Sequence, residues 1–508
     1  MAFVADFEVS PRSRNSNDSL HFLVPYVAFH RLGYGRIHLR YVRGEKTMSE
    51  RGYERWSEIR ALLRLAGPMV LSQVAFVLMG LVDTAMSGHA GAQEQAVVGL
   101  GVALWIPIFI GLMNVVQAVS PFVARHYGAG DHQAIVRDTR EAMWLALWTS
   151  LVPLAALPFV PAVLRAFGIE PELAEKTTFF LEGIGCGLPA ALMFRAIAFY
   201  SASVDRPKPI MTIAFLGLGI NAFFNWVLIY GRLGAPALGG AGCGWATAIG
   251  MWCSLVVMGL WTAFAPAYAP FRLWRGGWSW PSLEGQKRLL RLGLPMGGAG
   301  LAEVAAFTGI AVLIGRFGPV QIAAHQVALN VASLLFMLPA GIGAALAIRV
   351  GQSLGAGDPA RARRLAWTGV AVGLAVGLLT MGPVLAGRHA ITALYSSDPA
   401  VRDLAASLLV LAALWQVFDA TQACMMGALR GYHVTLLPML LMLGAFWLVG
   451  IPLGAWLGYE GGPFGRPLGV FGFWIGLLVG LALVSCGLAL ILRTVAEAAL
   501  SRCRTKEA

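Results

Sequence analysis

The chain has 508 residues, of which 57% are hydrophobic and only 13% charged, and its formal net charge is +12. Soluble domains carry about 25% charged residues, so this chain cannot cover a water-facing surface. Soluble enzymes and soluble nucleic-acid-binding proteins are excluded, and the expected fold class is an all-α membrane protein.

Residues 1–47 carry seven basic side chains (Arg12, Arg14, Arg31, Arg36, Arg40, Arg43, Lys46). They hold no apolar run long enough to span a bilayer or to form the core of a signal peptide. Met48 opens Met-Ser-Glu-Arg just ahead of the first apolar segment. We read Met48 as the true translation start, with a disordered tail as the alternative, and set residues 1–57 apart as an N-terminal extension.

A membrane-spanning helix needs about 20 mostly apolar residues. Polar breaks delimit twelve such segments: 62–87, 95–124, 141–163, 178–203, 209–231, 242–264, 289–316, 321–350, 365–387, 402–429, 434–457 and 469–492. The unbroken runs 436–457 and 470–492 argue against the alternating strands of a β-barrel. Lys and Arg are distributed unequally between the two sides. Arg51, Arg55, Arg60 and Arg64, with 19 more in loops and tail, share the side of the N-terminus. Seven (Arg165, Lys176, Arg232, Arg316, Arg388, Arg402, Arg466) share the other. Basic loops stay inside, so both termini are expected in the cytoplasm. Six cysteines show no metal spacing and read as free, buried thiols.

The chain repeats itself. Leu63-Arg64-Leu65 before Pro68-Met69 recurs as Leu290-Arg291-Leu292 before Pro295-Met296, an offset of 227. Gly128-Ala129-Gly130-Asp131 recurs at the same offset as Gly355-Ala356-Gly357-Asp358. The expected organisation is an N-lobe at 58–265 (spans 1–6), a cytoplasmic linker at 266–288, a C-lobe at 289–493 (spans 7–12) and a tail at 494–508. Parallel repeats of this kind are a transporter architecture, with the substrate site near the repeat interface at mid-membrane. Prolines in or beside the spans (Pro68, Pro107, Pro189, Pro295, Pro339, Pro438, Pro452) permit kinks.

Three acids fall well inside apolar spans: Asp83, Glu303 and Asp419. Each costs at least about 2.5–3.5 kcal/mol to insert, which points to cation binding or proton exchange. The bland alternative is a structural hydrogen bond or a neutral acid. Asn221 and Asn225 lie one turn apart on span 5 and share a helix face. With Asp83, and with the Thr247 hydroxyl, they can offer oxygen ligands or a proton relay; otherwise they only glue helices. His325, opening span 8, can titrate near neutrality or simply pack. Arg195, inside span 4, can pair with a carboxylate or reach the inner face. The 18 methionines, 26 Phe, 16 Trp and 11 Tyr include cavity-lining surface suited to apolar cations. There is no phosphate-binding loop, no zinc spacing and no nucleophile elbow, so no enzyme and no cofactor are expected.

These residues resemble a known family. The duplicated Leu-Arg-Leu-x-x-Pro-Met and Gly-Ala-Gly-Asp elements, Val82-Asp83-Thr84, the stretch Ala323-Ala324-His325-Gln326-Val327-Ala328-Leu329-Asn330, and Phe418-Asp419-Ala420 followed by Leu429-Arg430-Gly431-Tyr432 are similar to the multidrug and toxic compound extrusion (MATE) transporters, bacterial NorM-like branch, over about 58–493. The resemblance implies twelve helices in two pseudo-twofold six-helix lobes around a central cleft where substrate binds. It implies export of organic cations and other drugs in exchange for Na⁺ or H⁺, from the bacterial inner membrane. A C-lobe cation site, a candidate for Na⁺, maps onto Glu303 and Asp419. An N-lobe polar site maps onto Asp83, Asn221 and Asn225. One departure is Trp415, where the family pattern has a tyrosine. An indole N–H donates but cannot give a cation an oxygen, though a cation–π contact remains open to it.

Partners expected are membrane lipid and small cationic drugs, with no nucleic acid. The twofold core is complete in one chain, which predicts a monomer. A lipid-linked precursor flippase of a related superfamily is the rival function. It would want a cationic central cavity, whereas the intramembrane charges here are mostly acidic. A channel or receptor-like scaffold is a third reading.

Overall fold

A backbone in hydrocarbon has no water to bond, so each apolar run must close its hydrogen bonds internally as a helix. The computed structural model describes residues 48–275 and 279–507, and among these there is no strand. Twelve helices are long and apolar enough to cross a membrane. They are α1 (Trp56–Ala90), α2 (Ala92–Gly128), α3 (His132–Ala166), α4 (Pro171–Ser203), α5 (Lys208–Tyr230), α6 (Ala241–Phe264), α7 (Leu283–Phe317), α8 (Pro319–Gly355), α9 (Pro359–Tyr395), α10 (Pro399–Gly431), α11 (Leu436–Glu460) and α12 (Val470–Cys503). The expectation about Met48 and the preceding tail concerns residues 1–47, outside the described residues.

Most helices overrun the apolar segments that predict them, because polar caps hold the extra turns. The Ser282 side chain accepts from the Gly285 N–H, so α7 starts inside the expected linker. Asp131 and Asp358, the last residues of the repeated Gly-Ala-Gly-Asp, cap α3 and α9 by accepting from Ala134 N and Arg361 N. The final helix continues to Glu507, so the expected tail is helical. Within α11, π-helical turns occupy Gly444–Gly450 and Trp456–Glu460, either side of Pro452. Proline removes a donor from the ladder, and a wider turn absorbs the defect. The cysteine expectation needs correction: Cys243 and Cys424 are buried, but Cys186 and Cys486 are exposed. They face outward, and a thiol is apolar enough to do so in hydrocarbon.

Helices α1–α6 and α7–α12 form two lobes. Their mutual contacts gather at one end, the end carrying most of the Lys and Arg. There the duplicated glycines cross: a Cβ on Gly128 would lie 1.9 Å from the Gln352 carbonyl oxygen, and one on Gly355 would lie 1.8 Å from that of Arg125. Gly128 and Gly355 are repeat counterparts, as are Arg125 and Gln352, so the crossing has the pseudo-twofold symmetry of the sequence. Polar links between lobes surround it. Gln352 Nε2 donates to Ser203 O (3.0 Å) and Asp205 Oδ1 (3.1 Å). Arg288 pairs with the buried Asp138, and Arg361 with Glu58.

Candidate functional site

The N-lobe site is built by α1, α5 and α6. Asp83 on α1 and Asn221, Asn225 and Thr247 are all buried, and they form one chain. Asn225 Nδ2 donates to Asp83 Oδ1 (2.5 Å) and to Asn221 Oδ1 (3.1 Å). Asn221 Nδ2 donates to Thr247 Oγ1 (3.1 Å). The expected i, i+4 pairing of the asparagines thus works as a relay of amides, ending on a hydroxyl from a third helix. Asn225 Oδ1 is buried with no partner of its own, which leaves a hard oxygen beside the carboxylate.

The C-lobe site is differently made. Asp419 on α10 is 1% exposed, and neither carboxylate oxygen has a hydrogen-bond partner. Glu303 on α7 is half-buried and lies close enough to act electrostatically on Asp419, while the Arg430 guanidinium acts on Glu303. Trp415 is buried with its N–H unpartnered, and its ring meets Phe307 of α7 edge-on at 6.0 Å. One turn along from Glu303, that contact ties α10 to α7. His325 is fully buried, packs edge-on against Trp474 and makes no hydrogen bond among the described residues.

Gln416 was not anticipated from the sequence. It is fully buried, and both amide atoms lack partners. It stands three residues before Asp419, on the same helix face. A glutamine inside an apolar span was the available signal. Unsatisfied buried polar groups are rare, and here a carboxylate and an amide oxygen cluster with a second carboxylate nearby. Such oxygens are what a hard cation takes as ligands, and a carboxylate pair also suits a proton. Arg195 meets no carboxylate among the described residues, so the expected ion pair is absent.

The comparison with known proteins follows this duplication. The MatE family model matches twice, over residues 68–227 and 295–456, the two starts being 227 residues apart. The chain belongs to the MatE family. Members are membrane transporters and not enzymes. Among similar proteins, the multidrug resistance protein PmpM of Pseudomonas aeruginosa is 39% identical over 432 residues, covering 85% of this chain and 90% of that protein. The probable multidrug resistance protein NorM of Chromobacterium violaceum is 37% identical over 426 residues, covering 84% and 91%. A MATE crystal structure in a bent conformation superposes with a TM-score of 0.79 at 19% identity, covering 90% of this chain and 100% of that one. An outward-facing multidrug resistance MATE transporter gives 0.77 at 20% identity, covering 90% and 99%. These likenesses establish the fold: twelve helices in two six-helix lobes around a central cleft.

Proposed function

We propose that this MatE protein is a secondary active multidrug exporter. It moves organic cations and other drugs outward in exchange for Na⁺ or H⁺, by alternating access. The observation that carries the reading is a buried acidic cluster in each of two repeat-related lobes: Asp83 with Asn221, Asn225 and Thr247, and Asp419 with Glu303 and Gln416. The similarity to PmpM and NorM, both named multidrug resistance proteins, supports the substrate class. The coupling ion binds the C-lobe acids and shifts the balance between states open to opposite sides. Equal affinity for both states would shift nothing. The excess of Lys and Arg at the end where the lobes touch supports a cytoplasmic position for that end. The chain then works as a multi-pass monomer in the bacterial inner membrane, facing outward in the conformation described.

The test is ethidium export from energy-depleted cells, with Na⁺ and pH gradients imposed separately. Asp83→Asn, Glu303→Gln and Asp419→Asn are each expected to lower export at normal membrane abundance. Export started by a Na⁺ pulse assigns Na⁺ coupling, and a response to pH alone assigns H⁺. Full export by all three variants would refute the carboxylate mechanism.

A further inference from the structure

Two helices that start at the basic end of the molecule leave a groove between them. The first turns of α7 carry Lys287, Arg288 and Arg291, and the helix then turns apolar through Leu294. Beside it, α11 starts with Leu436, Leu437 and Leu440. Thr435 ties the two starts together: its hydroxyl donates to the Leu292 carbonyl (3.1 Å) and so does not cap α11. These residues line a cavity of about 830 Å³, together with Phe122 of α2 and His433, whose rings meet at 4.5 Å. Both helices run from the basic end into the membrane, so the groove is cationic at its mouth and apolar deeper in.

The protein satisfies neither part of this groove by itself. Lys287 and Arg291 are exposed, stand one helical turn apart and make no ion pair among the described residues. Like charges at that spacing repel, and the start of a helix is itself positive. Among the described residues no acid lines the groove. Arg288 holds the buried Asp138 through one nitrogen, while its Nε is buried without a partner. The amides of Leu436 and Leu437 add two donors, because α11 has no side-chain cap. Deeper in, Leu294, Leu436, Leu437 and Leu440 are each more than half exposed. Leucines facing lipid are ordinary in a span; here they floor a recess below three cations. A small soluble anion gains nothing from them, whereas a hydrocarbon chain covers them.

We propose that this groove binds an anionic phospholipid from the leaflet at the basic end, its phosphate between Lys287 and Arg291 and one acyl chain along Leu294, Leu437 and Leu440. Basic pockets between membrane helices take anionic headgroups, and a guanidinium matches the paired oxygens of a phosphate. A free phosphate would use the mouth alone and leave the leucines bare. A second copy of the chain, lying in the same membrane, would set cations against cations. The inference is independent of the coupling ion and of the direction of transport, and requires only that the chain spans a membrane.

The experiment titrates the purified full chain with phosphatidylglycerol, or with phosphatidylcholine of the same acyl chains, whose choline cancels the phosphate charge. Bound lipid is read by native mass spectrometry. Wild type should hold its first phosphatidylglycerol about tenfold more tightly than phosphatidylcholine, the order expected for two cations beside one phosphate. Lys287→Ala combined with Arg291→Ala should abolish that preference. Arg363→Ala combined with Arg364→Ala removes two exposed cations from the same end outside the groove and should leave it intact. Equal binding of both lipids by wild type overturns the proposal, and so does an equal loss in the two double variants, which would mean diffuse attraction only. Glycerol phosphate, the headgroup without its chains, should not displace the lipid at equal concentration; displacement assigns the mouth to a soluble phosphate and overturns the proposal. A dimer that phosphatidylglycerol dissociates overturns it too, by giving the groove to a second copy. A diazirine-bearing phosphatidylglycerol in vesicles holding the wild-type chain needs no substitution. Its crosslinks should fall on residues 290–294 and 436–440, and crosslinks confined to other segments overturn the proposal.

Discussion

Adding one methyl group at the glycine crossing tests the conformational reading most directly. In Gly355→Ala the new Cβ starts 1.8 Å from the Arg125 carbonyl oxygen, and in Gly128→Ala 1.9 Å from that of Gln352. Ordinary contact begins near 3.4 Å, so the helices must part by about 1.5 Å. The obstacle is helical backbone, which cannot swing aside as a side chain would. Overpacking of this kind costs about 1–3 kcal/mol. The cost falls only on a state in which the lobes touch here, so each alanine should shift the balance away from that state roughly 5- to 150-fold. The two substitutions share one crossing and should combine less than additively. Gly130→Ala and Gly357→Ala are the controls. Those glycines have φ of +73° and +76° but open space around the missing Cβ, so alanine there adds local strain of about 1–2 kcal/mol with no clash between lobes. The readout is labelling of a cysteine placed at Ser353, buried beside the crossing, in a background without the natural cysteines. A membrane-impermeant maleimide is applied from the side of the crossing. Gly355→Ala should label several-fold faster than Gly357→Ala and export less drug. Equal labelling in the two would refute the idea that this contact belongs to one state of a transport cycle.

Four further outcomes follow from individual contacts. Gln416→Leu removes two buried polar atoms that have no partner; thermal stability should hold or rise while ion-driven export falls, and unchanged export would remove Gln416 from the site. Thr247→Val strips Asn221 Nδ2 of its acceptor, which should cost about 1–3 kcal/mol, seen as a lower unfolding temperature in detergent. Glu141 accepts from Ser282 N, Ser282 Oγ and Gln286 Nε2 at 2.6–2.8 Å, so Glu141→Ala should loosen the connector between lobes and speed its cleavage in limited proteolysis. His433, in the loop after α10, is pushed down to about 4 by burial and then by Arg125, His126 and Arg288, against a hydrogen bond at Pro121. Below its ordinary value of 6.5 the unfolded chain takes up a proton that the folded chain refuses, so stability falls between about pH 6.5 and 4. His433→Gln should flatten that part of the pH–stability curve.

The helices were legible because hydrocarbon leaves the backbone no other option, and the lobes because the chain repeats two motifs at one offset. The N-lobe cluster was legible for a similar reason: an acid and two asparagines have no cheap place in a membrane except beside one another. What escaped was whatever depends on the rotation of one helix against its neighbour. Gln416 looks unremarkable in sequence, since glutamine also occurs at span ends, and only the packing of α10 shows it buried and unpartnered. Arg195 seemed destined for a carboxylate or the inner surface; instead, the stripes of α1 and α5 leave a cavity in front of it. The role of the Gly-Ala-Gly-Asp repeat was hidden too. Its aspartates cap α3 and α9, and the first glycine of each copy is there because a carbonyl of the other lobe occupies the space of a side chain.

The two acidic clusters differ in how far the protein itself satisfies them, and that difference bears on coupling. Asp83 accepts from Asn225, with Asn221 and Thr247 in line behind it, so its charge is partly supported by the N-lobe alone. Asp419 has no such support: both oxygens lack a donor, and the nearest charge acting on it is another carboxylate. Burying a bare carboxylate beside a second one costs several kcal/mol, a large share of the stability of a whole domain. On the proposed export function, Asp419 would hold a proton or a cation while the lobes touch at their basic end. Release of that ion would then make this arrangement of α7 and α10 expensive and favour any packing that brings water or a donor to Asp419. On the proposed export function, the C-lobe acid would tie ion occupancy to lobe position through desolvation. On this argument Asp419→Asn, permanently neutral, should hold the lobes closed at the basic end, slowing Ser353→Cys labelling where Gly355→Ala speeds it. The two changes should oppose each other in the double variant; labelling of Asp419→Asn as fast as that of the unmodified carboxylate would break the link between ion and gate.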